Sequence, residues 1–174
     1  MVEILKKYTI GTRRFGLVNW IGAWTLYKKE SLRFLVVWIQ TIVSPIVTSL
    51  LFLLVLSLAL GGSRGNVLGV TFINFLAPGL IAMQIIQQAF SHSASSFMIK
   101  KIDGSIVDVL YAPLSPNEVT LAVILSAITR SFMIAAISIL TFFFIIELNI
   151  TNYVKLIIFT FLSSFILGNV GMIA

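Results

Sequence analysis

The sequence predicts an all-α integral membrane protein, with an interfacial helix near the N-terminus followed by four transmembrane helices. Hydrophobic residues make up 59% of the 174 residues, and charged residues only 10%. The mean hydropathy of +1.06 lies far outside the range of soluble domains. Four apolar stretches are each long enough to cross a bilayer as a helix, and they lie at about residues 34–60, 70–90, 119–146 and 154–174.

The basic residues predict the orientation of the chain in the membrane. The net charge is +6, and nine of the twelve Lys and Arg residues lie either before the first apolar stretch or in the polar segment 91–118, called here the central loop. Because Lys and Arg are retained in cytoplasmic segments next to spans, we expect the N-terminus and the central loop in the cytoplasm. This distribution accounts for the basic balance without a nucleic-acid partner.

Residues 1–33 form the first predicted unit, a basic cytoplasmic tail followed by an interfacial helix. Trp20, Trp24 and Tyr27 share one helical face, whereas polar and basic side chains crowd the opposite face. This pattern is typical of a helix that lies along the membrane surface with its aromatic rings at headgroup depth. The alternative interpretation is that this segment is the irregular start of the first span.

Residues 34–174 form the predicted transmembrane unit. Its first span, 34–60, carries no charge and would be about 40 Å long as a helix, so it must tilt or bend. Pro45 is the expected site of the bend. External turns are predicted at residues 61–69 and 147–153. On the fourth span, Ser164 and Gly168 form a small-xxx-small pair that suits close helix packing.

Polar side chains within the predicted spans are costly against lipid, so they are expected to face protein or a water-accessible cavity. Asn74 and Gln84 on the second span and Arg130 on the third are such residues. Two interpretations of Arg130 remain open: contact with a substrate or lipid headgroup, or a structural role such as pairing with a helix end. Gln87 and Gln88 are interpreted as the cytoplasmic end of the second span.

The central loop contains two helix start signals. Ser105 with Asp108 has the spacing of a capping box, which predicts a short helix from Ile106 to about Tyr111. Pro113 disfavours helical geometry at the residue before it and ends this helix.

The second start signal begins the third span. Ser115 is a cap residue, Pro116 takes the first helical position, and Glu118 completes a second capping box. Between the two signals, Ile102, Ile106, Val109 and Leu110 recur at roughly helical spacing. The short helix therefore presents an apolar face that is expected to meet a partner.

No pattern in the chain predicts catalysis or a metal site. His92 is the only histidine, and it has no second imidazole or carboxylate at ligand spacing, so no metal is expected. Asp103 and Asp108 lie five residues apart in the central loop, and capping accounts for Asp108. The motif GxxxxGK[ST] does not occur, so nucleotide hydrolysis by a P-loop is excluded for these residues. There are no cysteines, which removes disulfides and thiolate chemistry.

Together these features resemble the membrane subunit of a type-2 ATP-binding-cassette exporter, the ABC-2 type permease family. The resemblance is carried by WIGAWTLYKKESLRF, by the Ser44–Pro45 pair, by FINFLAPGLIAMQIIQQAFSHSASSF and, above all, by KKIDGSIVDVLYAPLSPNEV. Such permeases have about six spans. Because this chain ends within the fourth, we expect it to be C-terminally truncated.

The resemblance implies that the helix at residues 17–33 is a connecting helix and that Ile102 to Ala112 is a coupling helix docking on a separate ATPase subunit. It implies a complex of two permeases, expected to be a homodimer, and two ATPases in the bacterial inner (plasma) membrane, in contact with lipids. ATP and Mg²⁺ would bind to the ATPase, and this chain would bind no cofactor. The implied coupling residues are Ile102, Asp103, Ile106, Val109, Leu110 and Tyr111, and the candidate translocation-path residues are Asn74, Gln84 and Arg130.

Three other functions remain open: an ATP-independent secondary transporter, a channel and a membrane scaffold protein. A secondary transporter normally needs titratable or cation-binding groups at mid-membrane, and Arg130 cannot cycle protons. A channel would need a polar stripe along a span. Binding of an ATPase would distinguish the exporter from all three.

Overall fold

The structure, a computed structural model, describes residues 18–60, 66–67, 69–146 and 152–173. The predicted tail at 1–16 and most residues of both predicted external turns lie outside the described residues. The elements are α1 (Trp20–Val36), a π-helix (Ile39–Val43), α2 (Ser44–Leu60), β1 (Asn66–Val67), β2 (Val70–Thr71), α3 (Phe72–Ile102), α4 (Ile106–Tyr111), α5 (Pro116–Ile145) and α6 (Tyr153–Ile173).

Four helices in the described part of the chain are long and apolar enough to cross a membrane, namely Ile39–Ala59, α3, α5 and α6. This confirms the predicted all-α membrane fold. Its small addition is the antiparallel pair of two-residue strands β1 and β2, which leads into α3.

The sequence predicts that the central loop begins at Ser91. This predicted end of the helix is wrong. Helix α3 continues without interruption to Ile102. The serine-rich stretch reads as polar, but the side chains of His92, Ser93 and Ser96 are buried against neighbouring helices. Small hydroxyl groups on a closely packed face allow the helix to continue where composition alone suggested a loop.

Helix α1 is separate from the first span. It has its own N-cap residue, Asn19, and it ends at a turn at Val37. The π-helix that follows is the local departure from α geometry, and it lies just N-terminal to Pro45, the expected bend. Proline has no N–H and crowds the carbonyl group four residues before it, which favours such a widening of the preceding turn.

The hydroxyl group of Thr41 provides a hydrogen-bond donor to carbonyl groups of this irregular backbone. This hydroxyl group lies 3.0 Å from the carbonyl oxygens of both Phe34 and Val37, within donating distance of each. The same hydroxyl lies 3.4 Å from the carbonyl oxygen of Trp38. Because a hydroxyl carries one hydrogen, these acceptors share it.

The long helices pack around α3 and α5. Helix α5 contacts α1, α3 and α6, while α2 packs chiefly on α3. The Tyr27 hydroxyl lies 3.0 Å from that of Thr129 and adds a polar contact between α1 and α5. Apolar packing is concentrated where α2, α3 and α5 meet, in a cluster of Leu53, Ala77, Ile81, Ile85, Ala135 and Phe142.

Helix α6 approaches α3 and α5 through small buried residues. Ser164 and Gly168, the predicted pair, are both buried, and Gly171 continues the same face. A Cβ atom built at Gly171 would lie 2.6 Å from the carbonyl oxygen of Phe90. The backbones of α3 and α6 therefore approach so closely at this point that only glycine fits.

We predict that Gly171→Ala destabilises the packing of α6 against α3, at an overpacking cost of about 1–3 kcal/mol. The obstructing atom belongs to the backbone, so it cannot move without separating the helices. The measurement is the thermal unfolding of the detergent-solubilised protein. Gly168→Ala is the matched control, because its added Cβ would meet no atom closer than 3.5 Å. Equal destabilisation by the two substitutions would contradict this packing.

Candidate coupling site

The short helix α4 does not begin with the predicted capping box. Ser105 has φ −73° and ψ 0°, and its side chain makes no cap hydrogen bond. An N-cap residue normally has extended rather than helical geometry, which directs its side chain at the first free N–H groups. Here Gly104, with φ +72°, makes the turn, so that Ser105 already has helical geometry. Asp103 ends α3, and Asp108 lies in the first turn of α4.

The predicted apolar face of α4 divides into two sides. Leu110 and Tyr111 are 76% and 87% exposed, and Ile102 at the end of α3 is 73% exposed. Ile106 and Val109 are instead half-buried. The outward apolar surface, called here the exposed patch, therefore consists of Ile102, Val107, Leu110 and Tyr111.

Val109 faces α1. It lines a cleft of about 360 Å³ together with Gly22, Thr25 and Leu26 of α1 and with Asp108 of α4. The sequence assigned Val109 to the partner-facing side, but the six-residue helix has room for only one or two side chains on each side. Val109 therefore lies on the side of α4 that is turned toward α1, and its role as a coupling residue stays a prediction.

The start of α5 has the capping box that the sequence predicted at Ser115 and Glu118. The Ser115 N–H donates to Oε2 of Glu118 at 2.8 Å, and the Glu118 N–H donates to the Ser115 hydroxyl at 3.4 Å. This box fixes the direction in which the chain leaves the central loop and enters the third span.

Glu118 has a second partner that the sequence analysis missed. The backbone N–H of Asn19 donates to Oε1 of Glu118 at 2.7 Å, between two residues that are each 5% exposed. The Asn19 side chain in turn caps α1 by accepting from the N–H of Gly22 at 3.0 Å, and it donates to the carbonyl oxygen of Pro113 at 3.3 Å. One carboxylate thus joins the first turns of α1 and α5. An asparagine directly before an aromatic helical face was the available sequence signal for this cap.

The other end of α1 is held by a buried ion pair. The Lys100 Nζ lies 2.6 Å from Oε1 of Glu30, and the Arg33 guanidinium lies 3.1 Å from Oε2. The Ser96 hydroxyl also donates to Oε2, at 2.9 Å. Lys100 and Ser96 belong to α3, so this contact joins α1 to the second span. The sequence indicates this ion pair only weakly, because Glu30 is the one acidic residue within the basic segment 17–33.

Burial by itself would raise the pKa of Glu30. The hydrogen bond and positive charge of Lys100, the charge of Arg33 and the hydrogen bond from Ser96 outweigh burial, and they leave the pKa of this carboxyl below its ordinary value. The carboxylate is therefore ionised at neutral pH, and its negative charge faces two cations.

The polar residues within the spans make contacts between helices. The Gln84 amide donates to the carbonyl oxygen of Pro45 and to the hydroxyl of Ser49, and its oxygen accepts from Ser138 at 2.8 Å. Gln84 is 5% exposed and joins the first three spans. Asn74, near the other end of α3, is half-buried.

Arg130 binds residues of α3. Its guanidinium donates to Oε1 of Gln88 and lies 3.4 Å from Nδ1 of His92. Because arginine can only donate, Nδ1 accepts and Nε2 of His92 carries the hydrogen that points at the Ser126 hydroxyl, 2.7 Å away. The contacts favour the structural interpretation of Arg130. Gln88 lies within the 31-residue helix α3, and its interpretation as the cytoplasmic end of the second span stays a prediction.

No group of three or more His, Cys, Asp or Glu side chains with metal-binding geometry occurs among the described residues. His92 lies instead in the contact between α3 and α5. Its ring also packs edge-on against Phe34 of α1, with the ring centroids 5.7 Å apart.

Comparison with known proteins matches this chain to a family. The sequence model of the family described as "ABC-2 type transporter" matches residues 22–174. The protein named "Inner membrane transport permease YadH" of Escherichia coli strain K12 is 24% identical over 154 residues, which cover 88% of this chain and 60% of that protein. The proteins of the same name from Escherichia coli O157:H7 and Shigella flexneri give the same values. The chain thus spans 60% of the length of these curated relatives. No solved structure matches it.

We predict that Glu30→Gln destabilises the protein at pH 7 and that the difference from wild type shrinks in acid. Because the folded-state pKa is lowered, the stability that Glu30 contributes is complete above its ordinary pKa of 4.5 and is lost as the pH falls through the folded-state value. Leaving Lys100 buried without its partner costs on the order of 3–5 kcal/mol.

Thermal unfolding in detergent between pH 7 and pH 3, a range that spans the ordinary carboxyl pKa, measures this effect. Asp103→Asn is the control, since Asp103 is an exposed carboxylate. A destabilisation by Glu30→Gln that stays constant across the range would contradict the assignment.

Proposed function

Because this chain belongs to the ABC-2 type transporter family, we propose that it is the permease subunit of an ATP-driven exporter. In this proposal it forms part of the translocation path and couples to a separate ATPase subunit. The working complex contains two permeases, as a homodimer, and two ATPases. ATP and Mg²⁺ bind to the ATPase, and this chain binds no cofactor.

The observation that carries the proposal is the exposed patch on α4. Leu110 and Tyr111 are more than three-quarters exposed on a short helix between two spans. Large apolar side chains in water favour burial against another protein, and aromatic residues dominate the energetics of such interfaces. The ATPase is the partner that the family membership supplies for this surface.

The joints around α4 support a coupling role rather than simple attachment. Movement of α4 is carried into α5 through Ser115 and Glu118, and the same carboxylate holds Asn19 of α1. A helix joined in this way transmits a displacement instead of absorbing it. The ATPase then shifts the spans by binding one of their arrangements more tightly than the other.

Contacts and charge support the proposed orientation, and similarity supports the proposed location. Asn19 touches Glu118, and Glu30 touches Lys100, so α1 and the central loop lie on one side of the membrane. The basic residues assign that side to the cytoplasm. The membrane is the inner membrane by similarity to the permeases of Escherichia coli and Shigella flexneri.

We predict that Leu110→Asp and Tyr111→Asp in the full-length permease each weaken ATPase binding about 10–100-fold, because each removes one large apolar contact and buries a charge in its place. Co-purification in mild detergent with candidate ATPase subunits measures binding. Lys101→Gln is the control, since Lys101 is exposed beside the patch but is not apolar.

Retention of the ATPase by both aspartate variants would overturn the docking surface. Failure of the wild-type permease to bind an ATPase would instead favour the scaffold or secondary-transporter functions. The yield of folded permease is followed in parallel, which separates lost docking from lost folding.

A further inference from the structure

Polar contacts hold the cytoplasmic helix α1 near both of its ends. Near its start, the backbone N–H of Asn19 binds Glu118 of α5. Eleven residues later, about 16 Å along a helix, Glu30 binds Lys100 of α3. Helix α1 therefore bridges the cytoplasmic ends of the second and third spans, one on either side of α4.

We propose that Glu30 and Lys100 are positioning residues for energy coupling, which make α1 move as one body with the cytoplasmic end of the second span. This inference rests on the proposed function, because it describes how a displacement of α4 reaches the rest of the permease. Neither residue touches the ATPase or the transported molecule in this proposal.

The burial of the pair favours a positioning role. The side chains of Glu30 and Lys100 are 1% and 7% exposed, and Nζ of Lys100 lies 5.2 Å from the ring centre of Phe97. A buried ion pair contributes little net stability compared with packed apolar residues, yet breaking it leaves a charge without compensation. Such a pair therefore favours a single arrangement of the two helices.

Lys100 lies close in the chain to α4, so the ion pair is near the helix that is proposed to move. Helix α3 ends two residues after Lys100, and Gly104 and Ser105 then lead directly into α4. A movement of α4 therefore acts on the point where α1 is attached. Helix α1 in turn continues into the first span through the turn at Val37 and the π-helix, so a movement of α1 reaches that span.

Without the ion pair, α1 would keep its contacts with α5 through Asn19 and Tyr27, but its hold on the cytoplasmic end of α3 would weaken. The permease would still bind its ATPase through the exposed patch, which lies outside the ion pair. What would be lost is the transfer of the movement from α4 to α1 and on to the first span.

The test uses the full-length permease in complex with its ATPase and compares wild type, Glu30→Gln, Lys100→Gln and the charge-conserving variant Lys100→Arg. Spin labels are attached at Lys28→Cys and Lys101→Cys, which are exposed positions on α1 and α3. These 174 residues contain no native cysteine that would compete for the label.

In the wild type, the distance between the labels should stay narrow and unchanged when ATP binds. In either Gln variant, the distribution should broaden and shift with ATP. The effect of the permease on the ATPase rate should fall about tenfold, a typical size for coupling between sites. Lys100→Arg keeps the positive charge beside Glu30, so both readouts should stay close to those of the wild type, whereas in Lys100→Gln they should not.

The outcomes separate this inference from the proposed function. If the wild-type permease binds no ATPase, the proposed function is wrong and this inference falls with it. If all variants bind the ATPase but the label distances in Glu30→Gln remain those of the wild type, only this inference is overturned. Loss of ATPase binding in Glu30→Gln would also overturn it, because the pair would then serve docking.

Discussion

The arrangement of α1, α4 and the start of α5 depends on the carboxylate of Glu118. A helix begins with N–H groups that have no partner inside the helix, and it carries partial positive charge at that end. Glu118 lies where two such ends meet, since it accepts from the N–H of Asn19 at the start of α1 and from the N–H of Ser115 at the start of α5. Two unrelated segments thereby share one buried anion, which fixes their relative position.

Within the membrane, a different force holds the helices together. Lipid is as apolar as a leucine side chain, so hydrophobic burial does little to drive helices together, and close packing and polar contacts take over. Gln84 binds groups on the first and third spans, and Arg130 binds Gln88 across the contact of α5 with α3. Gly171 brings α6 against the backbone of α3. Gln84 and Arg130, which the sequence suggests as candidates for a transport path, thus make contacts between spans.

Local patterns were predictable from the sequence, and long-range contacts were not. The spans follow from composition, and the cap at Ser115 and Glu118 follows from four consecutive residues. The same pattern failed at Ser105, because the left-handed Gly104 before it changes the entry of the chain. The contact of Glu30 with Lys100 joins residues 70 positions apart, and a single sequence carries no signal for such a pairing. The side of α4 on which Val109 lies could not be predicted from the sequence either, because it depends on the position of α1.

The most direct test of this account is hydrogen exchange at the backbone amide of Asn19, compared between wild type and Glu118→Ala. The wild-type amide should exchange slowly, since it is buried and bonded to the carboxylate at 2.7 Å. In Glu118→Ala it should exchange roughly tenfold faster or more, as expected for a lost hydrogen bond to a charged group. The amide of Leu26, in the middle of α1, should stay protected. Unchanged exchange at Asn19 would contradict the claim that Glu118 joins the two helices.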